Sequence, residues 1–160
     1  MPRIGITGHA NLTPTASPHI LKALENELAP DAEENLVGVT CLAKGADQLF
    51  AQAVLNLGGQ LEVVLPAADY RQRKVKPDNA AQFDNLLDQA SHVHTMPYEQ
   101  SHREAYMAAS QHLLDSVDKL IAVWDGQPAS GHGGTADVVQ TAHDHNIPVS
   151  IVWPDGAERE

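Results

Sequence analysis

Six short apolar runs, each separated from the next by a segment of helical period, constrain this chain more than any other feature. The runs cover 3–7, 36–42, 60–66, 92–96, 119–124 and 148–153, and the helical segments between them cover 18–28, 45–57, 80–91, 101–116 and 135–145. Strands that are nearly continuously apolar are buried on both faces, and a parallel sheet covered by helices buries them that way. Parallel neighbours need a long crossover, which a helix supplies with right-handed sense. The expectation is one α/β domain over 1–154, three layers deep, with a mostly parallel sheet flanked by helices. A polar, acidic tail over 155–160 is read as a frayed end.

Individual residues support this pattern. Leu49, Phe50, Ala53, Val54 and Leu57 recur at helical spacing, and Gly58-Gly59 is placed to stop that helix. Tyr106, Ala109, Leu113 and Leu114 give the 101–116 helix an apolar stripe, fit for a core or for a homodimer interface. The segment 68–79 breaks the periodicity and carries Arg71, Arg73, Lys74 and Lys76, so it is expected to be a mobile, basic flap. At 160 residues and 42% hydrophobic content the chain is large enough for one real core.

Charge and cysteine content narrow the partners. The formal net charge is −11, with only ten Lys and Arg, which argues against general nucleic-acid binding through a basic stripe. Cys41 is the only cysteine, so no intramolecular disulfide forms within these residues, and a reducing cytoplasm is the expected setting. Cys41 reads as a small core residue. No membrane span or signal peptide is recognisable, and no membrane partner is expected.

Three strand ends carry small or polar residues that a ligand can approach. They are Thr7-Gly8-His9, then Ala43-Lys44-Gly45-Ala46-Asp47, then Gly131-His132-Gly133-Gly134-Thr135. In a parallel sheet these ends share one edge, so the three loops face one crevice. Glycine lets backbone approach a ligand, and the first turn of the helix after Gly134, with Thr135 or Asp137 as cap, is a natural anion site. Lys44 is the cation candidate for a phosphate. Tyr106 is a candidate for stacking on a base, and His9 and His132 are candidates for phosphate contact or proton relay.

These strand ends, in this order, resemble the SLOG superfamily, which groups the DNA-processing protein A and LONELY GUY type proteins. The resemblance spans nearly the whole chain and implies a Rossmann-like domain that binds a nucleotide or nucleotide derivative. It also implies N-glycosidic hydrolysis of a nucleoside monophosphate for some members, through an Arg in the preceding helix and a Glu three residues after the Thr. Here those positions fall on Ala109 and Val138, so the catalytic pair is not matched. A non-catalytic nucleotide sensor or scaffold is the alternative reading.

Cleavage of an N-glycosidic bond develops positive charge on the sugar, which a carboxylate can stabilise. Asp47, Asp125 and Asp137 are the catalytic candidates, expected to converge on the crevice; each also has an ordinary capping or turn role. The nine histidines include His92 with His94 and His143 with His145, but no metal-ligand spacing accompanies them. No metal and no resident cofactor is expected.

Overall fold

The computed structural model describes residues 1–127 and 134–160. Six strands alternate with helices: β1 (Arg3–Gly8), α1 (Ser17–Ala32), β2 (Val37–Thr40), α2 (Ala46–Asn56), β3 (Gln60–Leu65), α3 (Tyr70–Lys74), α4 (Pro77–Asp88), β4 (His92–Thr95), α5 (Arg103–Asp115), β5 (Lys119–Val123), α6 (Thr135–Asp144) and β6 (Val149–Val152). All five strand pairings are parallel, in the order β4-β3-β2-β1-β5-β6. The chain builds outward from β1 to β4, then crosses back to place β5 on the other side of β1. That reversal opens a crevice beyond the carboxyl ends of β1 and β5, where ligands of open α/β sheets bind.

Alternating side chains divide each strand between two helical layers. Ile4 and Ile6 of β1 and Ile121 and Val123 of β5 pack with Ile20, Leu24 and Leu28 of α1 and with Phe50, Ala53 and Val54 of α2. On the opposite face Val37, Val39 and Leu120 meet Ala109, Leu113 and Leu114 of α5 and Ala142 of α6. Leu61 and Val63 of β3 pack with Phe83 and Leu86 of α4, closing the layer that holds α2. The apolar stripe of α5 is therefore core at Ala109, Leu113 and Leu114, while Tyr106 stays partly exposed.

Glycine terminates α2 as expected. Gly58 takes φ +77°, and the Gly58 and Gly59 N–H groups donate back to the Leu55 and Val54 carbonyls, which gives a Schellman stop. At the other end of α2, glycine does a different task. An added Cβ on Gly8 would lie 2.4 Å from the Ala46 Cβ, and one on Gly45, at φ +90°, would lie 2.6 Å from the His9 carbonyl oxygen.

Two expectations need correction. Residues 68–79 are not an irregular flap: they form α3 and the start of α4, which begins at Pro77. Ala68 and Asp69 N–H groups donate to the Tyr98 and Glu99 carbonyls, Arg71 pairs with Asp84 at 2.8 Å, and Tyr70 is buried. The basic residues broke the apolar period because they occupy one exposed side of short helices. The tail is not frayed either. Leu12 and Arg159 form an antiparallel bridge, the Thr13 N–H donates to the Glu158 carbonyl, and the Glu160 N–H donates to Asn11.

Gly8 and Gly58 separate crowding from backbone strain. Gly8→Ala is expected to lose about 1–3 kcal/mol in urea unfolding, because helix and strand must move apart. Gly58→Ala meets nothing within 4 Å and carries only its positive φ, so about 1–2 kcal/mol is expected there without displacement of α2. Amide chemical shifts of His9 and Ala46 should move in the first variant and not in the second.

Candidate functional site

The carboxyl edge of the sheet opens into a cavity of about 810 Å³. Its floor is Thr7 and Gly8 at the end of β1, Cys41 and Ala43 after β2, and Pro66 after β3. Asp47 enters from α2, Tyr70 and Lys74 from α3, Arg103, Tyr106 and Ser110 from α5, and Gly134, Thr135 and Val138 from α6. Trp124 and Gln127 follow β5, and Arg159 arrives from the carboxyl-terminal segment. The volume suits a nucleotide-sized molecule.

Asp47 is the one carboxylate among the described residues lining this cavity. It is 8% exposed, its Oδ2 accepts the Ala43 N–H at 3.2 Å, and no Lys, Arg or His among the described residues forms an ion pair with it. Burial disfavours the charged form and pushes its pKa up to about 7, against the opposing pull of the Ala43 hydrogen bond. Burial, reinforced by Asp47, also raises the Cys41 thiol and the Tyr70 phenol, so both stay protonated near neutral pH. A thiol so placed is a poor nucleophile.

Asp125, by contrast, is consumed at the rim. Arg159 Nε lies 2.7 Å from its Oδ2, and His9 Nε2 lies 3.3 Å from its Oδ1. Arg159 Nη1 approaches His9 Nδ1 at 3.4 Å. The Asp125 backbone N–H lies 3.3 Å from His9 Nε2, so both ring nitrogens face donors and the ring sits between Arg159 and the backbone of Asp125. Burial lowers the His9 pKa, Arg159 lowers it further, and Asp125 opposes both, so the ring is neutral near pH 7. The edge of the His9 ring sits against Trp153 with centroids 5.6 Å apart.

The three expected catalytic carboxylates therefore do not converge. Asp47 reaches the cavity, Asp125 is neutralised by Arg159 and His9, and Asp137 opens on a second hollow of about 360 Å³ between α5 and α6. Asp137 is absent from the cavity lining, while Val138, about 100° further round the helix, lines both hollows, which adjoin one another along Arg103, Tyr106, Met107 and Ser110. Thr7, Gly8, His9, Tyr106, Gly134 and Thr135 line the cavity as expected of ligand residues. Lys44 is exposed outside it, and Gly45 serves the close packing against His9. The N-cap of α6 is Gly134. Gly131, His132 and Gly133 lie outside the described residues.

Sequence reasoning passed over Arg103 and Arg159 as site residues and gave Lys74 only to the expected flap. Nothing in local sequence marks Arg159, which reaches His9 only through the bridge of its segment to Leu12. Lys74, Arg103 and Arg159 give the cavity three cations against one carboxylate of raised pKa. Among the described residues no group of three or more His, Cys, Asp or Glu side chains is placed to hold a metal ion, and no helix is long and apolar enough to cross a membrane.

No family model and no curated protein sequence matches this chain. Solved structures do. DNA processing protein A from Streptococcus pneumoniae superposes with a TM-score of 0.69 at 19% identity, over 98% of this chain and 53% of that one. The same protein from Helicobacter pylori, described for its single-stranded DNA binding mode, gives 0.67 at 19% identity, over 94% of this chain and 64% of that one. The molybdenum cofactor binding protein from the phototrophic bacterium Rippkaea orientalis gives 0.61 at 19% identity, covering 96% of this chain and 77% of that one.

The chain has the Rossmann-like fold of these structures. It spans little more than half of the Streptococcus protein and under two thirds of the Helicobacter protein. One expectation falls with these comparisons: a net acidic balance does not exclude nucleic-acid binding for this fold, since a structural neighbour binds single-stranded DNA. Net charge sums the whole surface, whereas a strand meets only a local groove.

Two measurements check the electrostatics of the site. Because the folded pKa of Asp47 lies above its unfolded value, its protonated form favours folding, and that contribution is lost as pH rises from about 4 to about 7. Asp47→Asn removes this titration, so the variant should gain roughly 4 kcal/mol on the wild type between pH 4 and pH 8 in urea unfolding. Arg159→Ala should raise the His9 pKa, read from its imidazole carbon-bound proton by NMR, since a lowering charge leaves and water gains access.

Proposed function

We propose that this protein binds a nucleotide or nucleotide-derived anion in the cavity at the carboxyl edge of its sheet. The observation that carries the reading is the local charge: Lys74, Arg103 and Arg159 line one cavity of a chain whose net charge is −11. Lys74 and Arg103 are exposed and Arg159 is shared with Asp125, so the attraction acts at the mouth and is screened by salt, on a surface that otherwise repels an anion. In this reading the Thr7-Gly8 turn and the first turn of α6 at Gly134-Thr135 hold a phosphate, with Arg103 and Lys74 at the mouth. Tyr106, which is partly exposed, offers a face to the ring of the ligand and is backed by the buried Tyr70. Their own centroids lie 6.3 Å apart in an edge-on arrangement.

Hydrolysis of an N-glycosidic bond is the narrower form of this reading. Asp47 is its acid or base candidate, because a pKa near 7 suits proton transfer at neutral pH. Asp125 is less suited while Arg159 holds it, and Asp137 faces the second hollow. The sensor alternative keeps the binding and omits the chemistry; absence of the Arg and Glu pair at Ala109 and Val138 favours it. The same reading sets the protein in the cytoplasm and takes a homodimer, with exposed Met107 and Tyr106 of α5 at the shared face. Size-exclusion chromatography with light scattering checks the last point.

Titration calorimetry with a panel of nucleoside monophosphates tests the binding reading, and chromatography of the same mixtures for free base tests hydrolysis. Binding is expected to weaken as salt is raised. Lys74→Ala with Arg103→Ala should weaken it at least tenfold and flatten that salt dependence. A folded protein that binds none of the panel at millimolar concentration counts against this function. Saturable binding with no free base after prolonged incubation selects the sensor.

A further inference from the structure

Asp47 is a buried carboxylate with no cation paired to it among the described residues, and it lines the cavity at the carboxyl edge of the sheet. Its Oδ2 takes the Ala43 N–H, while the carboxylate lines the cavity beside Cys41, Ala43 and Tyr70. Neither neighbouring ionisable group compensates it: Cys41 and Tyr70 are both held in their neutral forms by burial. Lys74 is exposed, and Arg159 is engaged with Asp125. A buried anion without a partner is costly, and a ligand that supplies hydrogen-bond donors recovers that cost on binding.

The walls around Asp47 say what kind of group that is. Ala43 and Tyr70 lie beside Asp47, with Tyr106 next to Tyr70, and these flat or small, largely apolar side chains accommodate a planar ring better than a cluster of hydroxyls. A planar heterocycle offers two adjacent N–H donors to one carboxylate when a ring N–H stands next to an exocyclic amine. That is the edge of a 2-amino-4-oxopyrimidine, as in guanine. The adenine edge alternates an acceptor with a donor and meets an ionised carboxylate with its acceptor.

We infer that Asp47 reads the base of the ligand, selecting a heterocycle with a 2-amino-4-oxopyrimidine edge over one with an adenine edge. This rests on the nucleotide-binding reading above and narrows its ligand class. The inference assigns Asp47 a specificity role that the strand-end motifs do not, since its position in the first turn of α2 is equally explained by the helix dipole. The Ala43 hydrogen bond uses one lone pair of Oδ2 and leaves its second lone pair and the whole of Oδ1 for the two donors of the ligand.

The test compares GMP, IMP and AMP by calorimetry at pH 8, where Asp47 is ionised, in wild type and in Asp47→Asn. Wild type should bind GMP at least tenfold more tightly than AMP, with IMP between them because it keeps the ring N–H and lacks the amine. N1-methyl-GMP, which has lost the ring donor, should fall to the level of AMP; that arm needs no protein variant. Asp47→Asn keeps the size of the side chain and an acceptor for Ala43, and should lose the GMP preference while its far-ultraviolet circular dichroism stays that of the wild type. Equal affinity of wild type for GMP and AMP overturns the inference and leaves nucleotide binding standing. So does a uniform loss of all three in a folded Asp47→Asn, which would place the carboxylate on the ribose. Failure of all three nucleotides to bind wild type overturns both readings.

Discussion

The site depends on how closely the start of α2 comes to the end of β1. The Ala46 N–H donates to the His9 carbonyl at 3.1 Å, and Gly8 and Gly45 leave no Cβ between the two segments. Gly38 does the same service one strand away, where an added Cβ would meet Val54 at 2.6 Å and Phe50 at 3.0 Å. With three side chains absent, α2 lies down on the sheet and its first turn is carried over the end of β1. Asp47 then has nowhere to go but the cavity wall. The close approach thus converts a packing requirement into a chemical one: a carboxylate is held in a poorly hydrated position that its own helix dipole only partly offsets.

Charge in this molecule is organised by location. The chain is strongly acidic, yet its cavity collects Lys74, Arg103 and Arg159 from α3, α5 and the carboxyl-terminal segment. The acidic residues nearest this edge are engaged elsewhere. Asp69 accepts from the Ser101 backbone and hydroxyl at 2.7 Å and thereby fixes the entry to α5, and Asp125 binds Arg159 and His9. Each of these contacts positions a wall of the cavity.

The structural neighbours place the fold without choosing its chemistry. Proteins described for single-stranded DNA binding and for molybdenum cofactor binding share this sheet and helix order at 19% identity. A common fold locates the crevice, since strand order alone creates the reversal between β1 and β5. What binds there is decided by side chains that the fold leaves free to vary.

Much of the fold was legible because its signals are local. Apolar runs long enough for a strand, helical spacing from Leu49 to Leu57 and the Gly58-Gly59 stop each act within a dozen residues, and each appears as read. The short helix α3 was missed because five residues with one buried side chain, Tyr70, carry no measurable period. Thr7, Gly8, Gly134 and Thr135 could be placed at the cavity because strand ends in a parallel sheet share one edge. The fate of the three carboxylates could not. Asp47 and Asp137 both follow glycine-containing loops into first helical turns, and only the rotation of each helix on the sheet decides that the first lines the cavity and the second the smaller hollow adjoining it. Arg159 reaches His9 across 150 positions of sequence because an antiparallel bridge to Leu12 turns the end of the chain back over β1. Sequence alone determined the layers, the parallel sheet and the edge on which its loops gather, since those follow from periodicity and crossover length. Tertiary structure decided which charges meet there, since that depends on helix phase and on contacts between segments that share no local pattern.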